Sequence, residues 1–192
     1  TGRARAYAHA LTMTRELRES EERMRHMAQH DALTLLPNRA LLADRLHSAL
    51  ALARRDKTRS GLMFVDLDHF KRVNDAHGHA IGDRLLLAAS ARMRDCLRES
   101  DTLARMGGDE FVVLLPHIDS QADAQLVAER IRSAIALPFT IDQYNLAISA
   151  SIGIGIYPDD ASTPESLTKC ADDAMYRAKD AGRNLIVFAS ET

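Results

Sequence analysis

The run Arg105-Met106-Gly107-Gly108-Asp109-Glu110-Phe111-Val112-Val113-Leu114-Leu115 constrains this chain more than any other. Strand-forming residues, Thr102 to Met106 and Phe111 to Leu115, flank a glycine pair, and glycine accepts the positive φ of a tight turn. A β-hairpin is expected. Hairpin tips ordinarily carry Asn-Gly or Asp-Gly, whereas here two adjacent carboxylates follow two residues without side chains. Open backbone beside concentrated negative charge suits a divalent cation bound together with a phosphate chain. A solvated acidic turn would read the same way on this stretch alone.

The length of 192 residues allows one domain with a full core plus an appendage, and 46% hydrophobic with 27% charged residues is ordinary for a soluble globular protein. A formal net charge of -2 argues against a general nucleic-acid binder, which needs a cationic face. Cys96 and Cys170 lie far apart in helical patterns and form no CxxC or metal-spaced pair, so a reducing, cytoplasmic setting fits best. No stretch approaches the apolar length of a membrane span and no signal peptide is visible, so no membrane contact is expected of this fragment. The chain opens on Thr1 and reads as a piece of a longer protein, whose membrane anchoring stays open.

Residues 3–29 are helix-rich and free of proline. A heptad reading puts Ala6, Ala10, Met13, Leu17, Ser20, Met24 and Met27 on a thin, partly polar seam. That is a two-helix coiled coil with a weak core, or a single amphipathic helix lying on the domain. Asn38 reads as the N-cap of a helix through about Arg55. Leu62 to Val65 is a buried strand ending in Asp66-Leu67-Asp68, and alternation sends both acids to one side. Phe70 to Ala76 makes a short helix, Gly78 and Gly82 punctuate, and Asp83 starts a helix through about Arg98.

After the hairpin, Ser120 to Leu137 is helical up to Pro138, and Tyr144 to Ile156 is one strand or two with a bulge at Gly153 and Gly155. Thr163-Pro164-Glu165 starts a helix that runs through Ala181 and stops at Gly182, and Leu185 to Phe188 closes as a strand. Strands interleaved with helices, several too close for βαβ units, predict an α+β sandwich with a mixed or antiparallel central sheet. If the strand ending in Asp66 neighbours the hairpin, three carboxylates meet at one sheet edge. Hard oxygen donors of this kind suit Mg²⁺, and a second ion sharing an acid would give the two-metal clamp of a palm-like nucleotidyl-transfer site.

The motifs taken together resemble the GGDEF-domain diguanylate cyclases. The signature stands intact at Gly107 to Phe111, joined by DALTLLPNR (31–39), FVDLDHFKRVND (64–75), GHAIGD (78–83), SIGIGIYP (151–158) and ADDAMYRAKDAGRN (171–184) in family order. The resemblance implies a palm-like nucleotidyl cyclase sandwich over residues 31–192, its mixed central sheet flanked by helices, with residues 1–30 as an N-terminal signalling helix from an absent upstream domain. It implies condensation of two GTP into cyclic di-GMP with release of pyrophosphate, across a homodimer.

By position, Asp66, Asp109 and the Leu67 carbonyl would hold Mg²⁺ or Mn²⁺, and Glu110 would complete a second metal site or assist deprotonation of the ribose 3′-hydroxyl. Gly107 and Gly108 would admit the phosphates. Asn74 and Asp83 resemble guanine readers, a carboxylate suiting the donor edge of guanine. Lys179 and Arg183, four apart on the last helix and so on one face, resemble the phosphate-binding pair, with Lys71 a further candidate. Arg98 and Asp101 match the RxxD motif of product inhibition, with Arg130 as a supporting arginine from a neighbouring domain. Leu35 stands where the family usually has glycine; if the position needs positive φ, the turn is strained. The alternative is a catalytically silent domain that binds cyclic di-GMP or GTP, and against it stand the intact acids Asp66, Asp109 and Glu110.

Overall fold

The computed structural model describes residues 2–191, with side chains described from residue 13 onward. Its elements are α1 (Gly2–Gln29), α2 (Arg39–Asp56), β1 (Arg59–Asp68), α3 (Phe70–His77), α4 (His79–Asp95), β2 (Thr102–Gly107), β3 (Glu110–Ile118), α5 (Gln121–Ala136), β4 (Phe139–Ile141), β5 (Tyr144–Leu146), β6 (Ser149–Tyr157), α6 (Pro164–Asp180) and β7 (Ile186–Phe188). Five strands form one sheet in the order β2-β3-β1-β6-β7, and the short β4-β5 hairpin stands apart. All neighbours in the large sheet are antiparallel except β6 and β7. The fold is α+β with a mixed sheet, as the interleaved pattern predicts.

Side-chain alternation on β1 builds two cores. Met63, Val65 and Leu67 pack with α3, α4 and α5 on one face, while Leu62 and Phe64 pack with α2 and α6 on the other. A strand covered on both faces must be apolar almost throughout, which explains the continuous run Leu62 to Val65. Asp66 and Asp68 share the parity of Leu62 and Phe64, and both are buried.

Two glycine readings change. Gly78, at φ 87, does separate α3 from α4, but Gly82 lies inside α4, which starts at His79 and ends at Asp95. A Cβ on Gly82 would sit 1.8 Å from Asn74 Oδ1 and 3.2 Å from the Phe70 ring, so this glycine marks the close approach of two helices rather than a break. Asp83 is therefore the fifth residue of α4, and Arg98 lies beyond its end, as does Cys96 at the cap. The β1-β6 register runs unbroken from Ser60↔Tyr157 to Asp68↔Ser149, with no bulge at Gly153 or Gly155. These glycines instead admit α6: a Cβ at Gly153 would meet Met175 N at 2.0 Å and Ala171 O at 2.2 Å. The strand expected across 144–156 divides into β5 and β6, and β4 precedes them.

The Asn38 cap forms as predicted, its side chain accepting from Ala40 N and Leu41 N. Asn38 also ties α1 to the domain, donating from its backbone N to Gln29 O (2.9 Å) and from Nδ2 to Ala28 O (2.8 Å). Met13, Leu17, Met24 and Met27 are exposed, so α1 does not lay that face on the domain; the side chains of Ala6 and Ala10 fall outside the described ones. Leu35 has φ 58 and is 66% exposed, so the expected strain is present. Among the described residues no helix is long and apolar enough to cross a membrane.

Candidate active site

The hairpin tip meets the end of β1. Asp66 pairs in register with Glu110 across β1 and β3, and Leu67 N donates to Asp109 O at 3.2 Å, fastening the tip to the same strand end. The three carboxylates therefore occupy one edge of the sheet. Across from them, Lys179 Nζ on α6 donates to Asp66 Oδ2 at 2.7 Å. The close α6 approach through Gly153 and Gly155 makes that reach possible.

Burial first, and the charges of Asp109 and Glu110 with it, raise the Asp66 carboxyl to about 6 against the opposing hydrogen bond and charge of Lys179. Burial opposes the Lys179 charge most strongly, but the bond to Asp66 together with the charges of Asp66 and Asp109 outweighs it and holds the ammonium above its ordinary value. One cation thus faces three acids, and the surplus negative charge is what a divalent cation would compensate. Among the described residues no three such side chains form a ready-made cage. The donors are all hard oxygens, and Mg²⁺ typically takes one or two carboxylates with substrate phosphates completing its shell; the residues fit Mg²⁺ or Mn²⁺ in that sense.

The tip is shaped by Gly107 at φ 132 and Gly108 at φ 52, and open space surrounds the Cβ position of each. Arg105 supports it from below. Its Nε and Nη2 donate to Gly108 O (3.1 and 2.8 Å), while Nη1 donates to both carboxylate oxygens of Asp31 (3.0 and 2.9 Å). Thr34 adds a backbone and a hydroxyl donor to Asp31. Burial opposes ionisation of Asp31, yet the bonds from Thr34 and Arg105 hold its carboxyl below the ordinary range.

Asn74 on α3 is half-buried against Gly82 of α4, and its Oδ1 is a buried acceptor with no protein donor. Asp83 stands exposed on α4, and Lys71 exposed on α3. Lys179 and Arg183 do not share a helix face. α6 ends at Asp180, and Gly182, Arg183 and Asn184 all take positive φ (121, 67 and 51). Arg183 N donates to Ala178 O (3.0 Å), and the turn leaves its side chain exposed. The Gly182 stop acts before Arg183, which is why the four-residue spacing misleads.

Arg98, Asp101 and Arg130 line one cleft of ≈ 100 Å³, with Cys96, His117 and Leu126 among its other walls. Asp101 Oδ2 accepts from Arg98 N at 2.9 Å, closing the RxxD segment into a turn. Within one chain α5 brings Arg130 to this cleft, a position distinct from the neighbouring-domain role that the resemblance implies.

A family model described as diguanylate cyclase, GGDEF domain, matches residues 28–185. The chain belongs to the GGDEF family. Curated relatives of this GGDEF domain include the bifunctional diguanylate cyclase/cyclic di-GMP phosphodiesterase MucR of Pseudomonas aeruginosa, 46% identical over 96% of the chain and 27% of MucR. Diguanylate cyclase TpbB of the same species is 44% identical over 87% of the chain and 39% of TpbB. Cyclic di-GMP phosphodiesterase PdeR of Escherichia coli is 41% identical over 92% of the chain and 26% of PdeR. The chain thus spans well under half the length of these relatives. Among solved structures, the GGDEF domain of TpbB (YfiN) is 42% identical with a TM-score of 0.81, covering 83% of this chain and 99% of that one. The coiled coil and GGDEF domain of DgcB from Caulobacter crescentus, in complex with c-di-GMP, is 28% identical with a TM-score of 0.89, covering 98% and 100%.

Two contributors to the site escape the sequence pattern. Asp31 and Arg105 each stand in a sequence motif, but their pairing spans 74 positions and carries no local signature. Asp68 was visible as an acid beside Asp66, but its partners, Ser149 and Ser151, are more than 80 positions away.

Proposed function

We propose that this GGDEF domain is a diguanylate cyclase, joining two GTP into cyclic di-GMP and releasing pyrophosphate. The observation that carries the reading is the register pairing of Asp66 with Glu110, beside Asp109 and opposite Lys179. Asp66, Asp109, Glu110 and the Leu67 carbonyl would hold Mg²⁺ or Mn²⁺, which when bound supplies positive charge to the triphosphate. Gly107 and Gly108 let the phosphates approach backbone, since nothing occupies the space above them. Lys179, Arg183 and Lys71 neutralise phosphate oxygens. The unpaired Asn74 amide and the exposed Asp83 carboxylate read the guanine edge.

In each half-reaction the ribose 3′-oxygen of one GTP bonds to the α-phosphorus of the other, the bond to pyrophosphate breaks, and the 3′-hydroxyl proton leaves towards Glu110 or water. Each domain binds one nucleotide, so two copies must face one another to align oxygen and phosphorus. Residues 1–30 act as the coiled-coil connection that sets this pairing, and residues 31–192 as the cyclase unit. GTP supply and two free cysteines fit action in the cytoplasm. The cleft holding Arg98, Asp101 and Arg130 suits cyclic di-GMP as a feedback inhibitor, because arginine forks a phosphate or guanine edge and an acid accepts guanine donors.

Incubation with GTP and Mg²⁺, with the product identified by mass and the rate followed on dilution, tests the reading. Cyclic di-GMP formed with specific activity falling on dilution is expected. Binding of GTP or cyclic di-GMP without turnover would leave the silent-receptor alternative in its place.

A further inference from the structure

The least explained group near the site is Asp68. It is 1% exposed, lies two residues beyond Asp66 on the same face of β1, and touches no cation among the described residues. Three donors hold it: Ser149 Oγ to Oδ2 (2.6 Å), Ser151 Oγ to Oδ1 (2.7 Å) and Asn184 N to Oδ2 (3.0 Å). A buried carboxylate needs such donors to offset its desolvation. Two of them come from β6, which pairs beside β1 in any case. The third comes from the turn after α6.

That turn is costly to form. Gly182, Arg183 and Asn184 hold positive φ in succession, a region that disfavours any residue with a Cβ, arginine more than asparagine. Bonds from several elements hold it in place: Gly182 N to Lys179 O (3.3 Å), Arg183 N to Ala178 O (3.0 Å), Asn184 N to Asp68, Arg132 Nη1 of α5 to Asn184 Oδ1 and O (3.0 and 3.4 Å), and Ile152 N of β6 to Leu185 O (2.9 Å). Among the described residues the Asp68 bond alone links the turn to the strand that carries Asp66. Arg183, one residue before the bonded amide, is exposed with no ion pair among the described residues. Its direction is therefore set by its backbone rather than by a side-chain partner.

We propose that Asp68 is a positioning residue for Arg183: it joins the acid-bearing end of β1 to the left-handed turn after α6, so that the metal-side carboxylates and the phosphate-side arginine keep a constant separation. The inference rests on the cyclase reading, in which Arg183 meets the triphosphate, and adds a group that itself touches no substrate. Replacing the Asp68 carboxylate by an amide leaves one acceptor oxygen for the three donors Ser149 Oγ, Ser151 Oγ and Asn184 N, which weakens the hold on Asn184 N, lets the turn leave its strained conformation, and scatters Arg183 over many directions.

A double-mutant cycle on nucleotide binding separates this role from general scaffolding, because residues acting through one another give non-additive losses. The dissociation constant of a non-hydrolysable GTP analogue with Mg²⁺ is measured for wild type, Asp68→Asn, Arg183→Ala and the double variant, with thermal melts alongside. Each single change is expected to weaken binding about ten-fold, the scale of one charge-assisted contact, and the double variant by about ten-fold as well. A loss near one hundred-fold in the double variant, or wild-type affinity in Asp68→Asn, overturns the proposal. Should Asp68→Asn fail to fold, Arg132→Ala cuts another tie to Asn184, from a half-buried side chain whose other partner is Glu129. About a three-fold loss that disappears in the Arg183→Ala background is then expected, and an additive loss refutes. Failure of the wild type to bind the analogue would refute the cyclase reading itself, a different outcome from additive losses in a protein that binds.

Discussion

Arg105→Ala tests whether the hairpin tip depends on a support outside the signature. The guanidinium makes four bonds, two to Asp31 and two to Gly108 O, and the two side chains are only 11% and 19% exposed. Removing one partner of a buried pair costs about 3–5 kcal/mol because the other charge is stranded. Asp31 keeps its two Thr34 donors and a little water, so the lower end applies, about 3 kcal/mol. For a chain of this size that lowers Tm by about 6–12 °C.

The effect depends on pH in a definite direction. Asp31 is held below its ordinary value in the folded chain, so its contribution is complete above the unfolded value of about 4 and is lost as pH falls through the folded one. Urea denaturation of wild type and Arg105→Ala should therefore differ strongly at pH 7, with the difference shrinking steadily as pH is lowered below about 4. A difference under about 0.5 kcal/mol at pH 7 would refute the reasoning, since that is the scale of an exposed pair. So would full additivity of Arg105→Ala with Asp31→Asn.

Asp66 behaves oppositely. Its carboxyl is raised to about 6, so the folded chain favours the protonated acid, and the metal-free protein should lose stability as pH rises from about 4 through 6. Mg²⁺ should restore it above pH 6 and do little below; calorimetric titration showing pH-independent Mg²⁺ affinity between 5 and 7.5 would contradict this. Gly153→Ala drives a Cβ into the backbone of α6 and should cost about 3 kcal/mol or more in chemical denaturation; a near-neutral change would mean that α6 yields easily. Leu35→Gly relieves a left-handed leucine whose side chain is largely exposed. It should raise stability by about 0.5 kcal/mol after the entropic cost of glycine, and a lower Tm would count against the strain.

Local signals carried most of the elements. Asn38 and Thr163 announce α2 and α6 through caps that act within three residues, and Gly107-Gly108 announces the hairpin because its φ values are required on the spot. Local signals mislead where a glycine serves a distant neighbour. Gly82 and Gly153 look like punctuation in sequence, yet each exists for a helix packed against it. Arg183 was assigned to a helix face because spacing of four is a helical signal until Gly182 ends the helix first. Acids and glycines of the site were legible as motif letters, and so were Arg105, Asp31 and Ser151; the bonds by which these and Ser149 support the site were not, since hydrogen bonds across the sheet leave no periodicity.

The glycines of β6 also divide the molecule for anyone who would redesign it. With backbone of α6 within reach of any Cβ on Gly153, that helix has no slack, and Lys179 stands over Asp66 like a mark on a ruler. The α3-α4 pair is different: its one tight spot, Gly82, meets the end of a side chain, Asn74, which can swing aside. If the proposed cyclase reading holds, attempts to change which base is read belong on that adjustable side, while α6 is best left as the fixed gauge against which the phosphate chain is measured.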